Sequence, residues 1–283
     1  MDSRKRGRRR VIKDIVYYQS SRNMANVENE SVQLIITSPP YFNIKNYSDF
    51  KIEDQIGDIS DYKNYIKSLT DIWIECFRVL KPNGKLVINT PHMPMFKKDM
   101  NTHHNRDILF IDSDIRSNIL SETDFYLYDQ YIWDKGHSSQ LMFGSYPYPP
   151  NFYSRNTTEF ITVYVKDGKP DKKLKEVKEK SKLTKEEWHL YTEQIWKITP
   201  VISRKDHSAP YPEEIPKRLI KLFSFKDDII LDCFAGSGTT LKVAKELKRS
   251  FIGYEIDEQY KNIIEAKLNE NWNYINQEPF EEE

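Results

Sequence analysis

Cysteine is nearly absent: Cys76 and Cys233 are the only two among 283 residues, far apart in sequence and in no metal-ligand spacing. A disulfide framework and a structural zinc site both need more, and a reducing compartment is the simple expectation. No apolar run approaches the roughly 18–20 residues that span a bilayer, so no membrane segment is expected. The basic first ten residues lead into no apolar stretch, so no secretory signal is expected. Net charge is missing as well, with 43 Lys and Arg against 43 Asp and Glu. Aromatic rings are not missing. They make up 13% of the chain, more than disordered chains carry. This length suits one large domain, or one domain with a sizeable insertion.

The zero charge is an average over an uneven chain. Residues 1–10 hold six Lys or Arg against one Asp, and residues 135–218 hold sixteen basic against eleven acidic side chains. Residues 219–283 reverse this, with eight basic against thirteen acidic. Such a distribution permits a polyanion on one part of the surface, although charge-rich loops are as often simply solvated.

Hydrophobic spacing predicts the elements. Val11–Ser20 reads as a first strand and Leu34–Ile36 as a second, which stops at Pro39-Pro40 because two prolines cannot continue a central strand. Apolar positions recur every three or four residues from Asp61 to Leu80, an amphipathic helix capped by Asp61 and ended by Lys81-Pro82-Asn83-Gly84. Lys85–Asn89, Phe125–Trp133 and Glu159–Val165 read as strands. Gly136–Tyr153 is a loop dense in Gly, Pro, Tyr and Phe, and Lys166–Thr192 is a Lys-rich insertion with a short helix at Lys185–Tyr191. Glu213–Phe223 is a modest amphipathic helix. The last third is sharper: strand Ile229–Asp232, a glycine turn, helix Thr239–Lys248, strand Ser250–Tyr254 and helix Asp257–Leu268. That βαβ unit makes the fold α/β with a largely parallel sheet.

Two constellations carry chemistry. In the βαβ unit, glycines after the strand let a ligand approach the backbone. An acidic residue ending the next strand, Glu255, can accept both hydroxyls of a ribose. No basic residue sits in Gly236-Ser237-Gly238-Thr239-Thr240 to meet a pyrophosphate, and Asp232 stands at its mouth. That acidity suits a cofactor with an ammonium group, and S-adenosylmethionine has one beside a ribose, an adenine and a sulfonium. The second constellation is Ser38-Pro39-Pro40-Tyr41. An exocyclic amine on a nucleobase has its lone pair delocalised into the ring, so methylating it needs acceptors for the amine hydrogens and an aromatic face for the extruded base. Ser38 Oγ and a carbonyl of the rigid Pro-Pro turn can be the acceptors, with Tyr41 as the face. Read alone, the string is a plain turn.

Thr37–Tyr41 together with Leu231–Thr240 resembles the amino-methyltransferases of DNA, which modify N4 of cytosine or N6 of adenine. The catalytic motif precedes the cofactor motif, which is similar to the circularly permuted beta group. Further likeness lies in Arg78–Gly84, in Tyr131-Ile132-Trp133-Asp134-Lys135, in Thr158-Glu159-Phe160 and in His207-Ser208-Ala209-Pro210-Tyr211-Pro212. The resemblance implies a Rossmann-like, S-adenosylmethionine-dependent methyltransferase fold: a permuted, mostly parallel seven-stranded sheet with one reverse-running strand and a small target-recognition insertion. It implies Ser38, Pro39, Pro40 and Tyr41 at the target base. By the same resemblance Asp232, Phe234, Ala235, Gly236, Ser237, Gly238, Thr239 and Thr240 lie beneath the cofactor, Glu255 on its ribose and His207, Ser208 and Ala209 near its methionine end. Many relatives carry Gly-Asp near the adenine, where this chain has Gln19-Ser20.

The expected organisation is a basic arm at 1–10, a catalytic half at 11–135, a family strand with recognition segments at 136–206, and a cofactor half at 207–283. Double-stranded DNA is the expected partner, gripped by Lys135, His137 and Arg155 and by Arg8 and Arg9 of the arm, with no metal required. A cognate restriction endonuclease and a second copy of the chain are further expected partners, and the bacterial cytoplasm the expected setting. In this family Ser before Pro-Pro-Tyr tends to accompany cytosine N4. The expected reaction is therefore site-specific methylation of a flipped cytosine, with adenine N6 as the alternative and an inactive DNA-binding protein as a distant one. Two further alternatives are a methyltransferase of RNA or protein glutamine and a dinucleotide-dependent oxidoreductase. The first more usually has Asn or Asp at position 38, and the second would bind its dinucleotide at the glycine turn.

Overall fold

In the computed structural model, residues 12–42, 52–96, 106–136, 147–152, 154–201 and 212–269 are described. The expected arm with Arg8 and Arg9, His137 and the His207–Ala209 segment lie outside them.

The strands are β1 (Ile15–Tyr17), β2 (Val32–Thr37), β3 (Leu80–Pro91), β4 (Met93–Phe96), β5 (Arg106–Leu109), β6 (Phe125–Asp134), β7 (Thr158–Lys166), β8 (Ile195–Lys197), β9 (Ile229–Asp232) and β10 (Ser250–Tyr254). Eight of them form one sheet in the order β1-β10-β9-β2-β3-β7-β6-β8, and β4 pairs with β5 in a separate ribbon. All neighbouring pairs in the large sheet are parallel except β3 with β7 and β7 with β6. Within it, β7 therefore runs against the rest. The sheet has one strand more than the seven expected: β8 adds three residues to the far edge, pairing with Ile132–Asp134 of β6.

The central strands read as near-continuous apolar runs because both faces are covered. β9 is buried at all four positions and β10 at all five. One face packs on helix α1 (Tyr62–Val79), whose Tyr65, Leu69, Ile72, Trp73, Cys76 and Val79 are buried. Asp61 caps it, accepting from Asn64 N at 2.8 Å. Full burial of Leu69, Ile72 and Val79 is worth about 1.5–3 kcal/mol each, which makes this stripe the helix's main anchor. Beside it runs α2 (Ile111–Glu122), which buries Ile111, Ile115 and Ile119. The Lys-rich insertion forms α3 (Lys175–Lys180) and α4 (Lys185–Tyr191), the latter opened by a Thr184–Glu187 capping box. The other face of the sheet holds Leu34, Ile36, Val87, Ile161 and Trp196 against α5 (Glu214–Phe223), α6 (Thr239–Glu246) and α7 (Lys261–Leu268).

The helix stops before Lys81-Pro82-Asn83-Gly84, as expected. The helix closes at Val79 and the chain enters β3 at once; Lys81–Gly84 bulges where the register with β2 shifts, with Asn83 at φ 61°. Among the described residues no helix is long and apolar enough to cross a membrane.

Candidate active site

Ligands of open α/β sheets collect at the carboxyl ends of the strands. Here β2 ends at Thr37, β9 at Asp232 and β10 at Tyr254, so Ser38, the glycine turn and Glu255 emerge side by side. They line one cavity. Ser38–Tyr41 form one wall, Cys233–Ser237 with Thr239 the floor, and Tyr254–Asp257 with Tyr260 the far side. Gln19, Ser20 and Ser21 close it at the end of β1, and Asp54–Ile56 cover it. Among the described residues that line it, Asp54, Glu255 and Asp257 are carboxylates and none is a cation.

The floor needs glycine. Gly236 and Gly238 have φ of 50° and 79°, a region open to glycine and strained for other residues. Gly238 also lies against α7, where a Cβ would come 3.3 Å from two carbons of Ile264.

Glu255 holds the turn from the β10 side: Gly236 N–H donates to Oε2 at 2.7 Å and Asp257 N–H to Oε1 at 2.9 Å. Burial pushes its carboxyl up to about 7, against these two bonds, which favour the charged form. Asp232 is placed differently from the expectation of a carboxylate facing a cofactor ammonium. It is 2% exposed, does not line the cavity, and sits behind the turn. Its Oδ1 accepts from Thr37 Oγ1 at 2.9 Å and from Phe234 N at 3.1 Å, and Thr240 also bonds to it. Burial raises its carboxyl to about 6. Asp232 is thus a brace for the turn. Thr240, fully buried, belongs to the same brace, and Gly238 shapes the turn from outside the lining.

On the opposite wall Ser38 Oγ donates to the Asn89 carbonyl of β3 at 3.0 Å. The Tyr65 hydroxyl of α1 donates to the Pro40 carbonyl at 2.9 Å, which fixes the Pro-Pro turn to the core helix. Tyr41 is half-buried and packs against the same core. Behind Asn89 lies a polar group that sequence reasoning does not find: Asn89 Nδ2 donates to Glu159 Oε2 at 2.7 Å, and Lys135 Nζ reaches Glu159 Oε1 at 3.1 Å. Lys135, expected among the residues that grip DNA, forms an ion pair with this buried carboxylate. Its side chain is 19% exposed. Arg155 is exposed, as a DNA contact requires, and the nearby Tyr148 and Phe152 in the same segment are exposed too.

A family model described as DNA methylase matches residues 32–266. The chain belongs to this DNA methylase family. It is 35% identical to the Type II methyltransferase M.MjaI of Methanocaldococcus jannaschii, across 89% of this chain and 90% of that one. With M.MthZI of Methanothermobacter thermautotrophicus it shares 29%, across 90% and 76%. TTHA0409 of Thermus thermophilus, solved complexed with S-adenosyl-L-methionine, superposes with a TM-score of 0.71 at 30% identity over 89% of this chain and 93% of its own. PvuII DNA methyltransferase (cytosine-N4-specific) shares the fold, with a TM-score of 0.65 at 17% identity over 92% and 88%. The protein is thus a DNA methyltransferase of the N4/N6 amino type, and S-adenosylmethionine is its cofactor. The cavity fits that molecule: a lining with carboxylates and no cation among the described residues suits a ligand carrying a sulfonium and an ammonium, and would repel a pyrophosphate.

Proposed function

We propose that this methylase acts on the exocyclic N4 of cytosine, within a target sequence in duplex DNA, and that Ser38 is the acceptor that prepares the amine. The observation that carries the role of Ser38 is the bond from its Oγ to the Asn89 carbonyl. With its proton committed there, the hydroxyl presents lone pairs to the cavity and acts only as an acceptor. One amine hydrogen is held by Ser38 Oγ. The other goes to the Pro39 carbonyl, since Tyr65 already occupies that of Pro40. Held in this way the nitrogen turns toward sp³ character and its lone pair points at the methyl donor. Tyr41 supplies the stacking face for the flipped base.

S-adenosylmethionine supplies a methyl group on a positively charged sulfonium, so no strong base is needed; alignment supplies most of the rate and the amine proton leaves afterwards. Glu255 takes the ribose hydroxyls, Phe234–Ser237 and Thr239 underlie the cofactor, and Gln19–Ser21 face its adenine. Ser rather than Asp or Asn before Pro-Pro-Tyr is what favours cytosine over adenine. The exposed Tyr148, Phe152 and Arg155 form part of the target-reading surface. The Type II naming of the relatives supports a protective role beside a companion restriction endonuclease.

The test is mass spectrometry of nucleosides from unmethylated DNA incubated with the protein and S-adenosylmethionine. N4-methylcytosine is expected. N6-methyladenine would remove the cytosine assignment and the selective role of Ser38 while leaving the family intact.

A further inference from the structure

The turn sequence contains no basic residue, yet the fold delivers one from the helix that follows the βαβ unit. Lys267 of α7 places its Nζ 2.6 Å from Ser237 Oγ and 3.1 Å from Thr239 Oγ1. Ile264, one turn earlier on the same helix face, packs against Gly238. Lys245 of α6 donates to the Leu268 carbonyl at the end of α7, so the two helices are clamped together here. Burial pushes the Lys267 ammonium down to about 8, so it remains cationic at neutral pH. Ser237 and Thr239 line the cavity; Lys267 stands directly behind them.

S-adenosylmethionine carries a carboxylate as well as its two cationic groups, and the rest of the cavity is hostile to it. Asp54, Glu255 and Asp257 supply negative charge, and none of the described lining residues supplies positive charge. Ser237 and Thr239 are the exception: they sit at the N-terminus of α6, where backbone N–H groups and the helix dipole favour an anion. Because Lys267 donates to both hydroxyl oxygens, their own protons are left to donate. The two oxygens are 3.5 Å apart, so at most one proton is shared between them and at least one turns outward.

We propose that Lys267 is the positioning cation of the cofactor's carboxylate subsite, acting through the hydroxyls of Ser237 and Thr239. The proposal rests on S-adenosylmethionine occupying this cavity. It gives the glycine turn an end for the amino-acid portion, opposite the acidic end that takes the ribose.

Calorimetric titration of the full chain with two probes tests it: S-adenosylhomocysteine, which has the amino-acid portion, and 5′-methylthioadenosine, which lacks it. Lys267→Met should weaken S-adenosylhomocysteine roughly tenfold, as the hydroxyls lose the cation that orients their protons toward the carboxylate, and leave 5′-methylthioadenosine within about twofold. Lys267→Arg should restore most of the affinity. Ser237→Ala, which keeps the lysine, should show the same selective loss at smaller size, and serves if the methionine variant does not fold. Equal weakening of both probes would make Lys267 a structural brace and overturn the proposal, as would no change in either. Failure of the unaltered protein to bind S-adenosylhomocysteine would overturn the cofactor placement, and the proposal with it.

Discussion

Thr37 Oγ1 donates to Asp232 Oδ1 at 2.9 Å, joining residues 195 positions apart in the chain. This bond ties the strand that ends at Ser38 to the strand that ends at the glycine turn. The two chemical halves of the site are thereby registered to each other through a buried contact behind the cavity.

Thr37→Val keeps the shape and removes that bond, leaving a buried carboxylate with fewer donors. A loss of about 1–3 kcal/mol is expected, read as a lower denaturation midpoint in urea at unchanged slope. Thr37→Ser should retain most of the stability. A valine variant as stable as the parent would show that the strands are registered by packing alone.

Gly238→Ala introduces a methyl group at φ 79° and 3.3 Å from Ile264. The left-handed backbone alone costs about 1–2 kcal/mol for a residue with a side chain. Both stability and S-adenosylmethionine affinity should fall, since the turn must shift to relieve Ile264. Parallel denaturation and binding titrations check this.

Glu255 makes cofactor affinity depend on pH. Its carboxyl is raised to about 7 by burial, and only the ionised form accepts from both ribose hydroxyls. Affinity for S-adenosylhomocysteine should therefore fall as pH drops from about 8 to 6. Stability runs the other way. Between the ordinary glutamate range and about 7 the folded protein holds a proton that the unfolded chain has released, so this group's contribution is fully present at low pH and lost as pH rises through about 7. The comparison is with Glu255→Gln, in which both dependences should flatten.

Much of this is legible in the sequence, for identifiable reasons. Strands Ile229–Asp232 and Ser250–Tyr254 have the expected bounds because unbroken apolar runs flank the glycine turn. The helix from Tyr62 has its expected cap because its apolar period is unbroken along its whole length. Helix α2 escapes the sequence reading although Ile111, Ile115 and Ile119 recur at helical spacing, because polar residues dilute the pattern. Strand β8 is too short for any period and is held by one buried residue, Trp196.

Side-chain direction at strand ends is not legible. Asp232 reads as a residue at the cavity mouth, but its carboxylate is drawn under the turn by Thr37, Phe234 N and Thr240. Lys135 reads as a DNA contact, and its partner Glu159 is not visible in the sequence. Long-range neighbours are equally hidden. Cys76 and Cys233, remote in sequence, place their sulfurs 3.4 Å apart beside the turn, and Lys267 reaches Ser237 from 30 residues away.

On this reading Ser38 acts on the base while the glycine turn and Glu255 hold the cofactor, in one cavity but by separate contacts. The direct measurement is the single-turnover rate of methyl transfer by Ser38→Ala, set beside its dissociation constant for S-adenosylmethionine. A fall in rate of about 10²-fold or more, with the dissociation constant within about twofold of the parent, is predicted. An unchanged rate, or a loss of cofactor affinity that accounts for the fall, would contradict it.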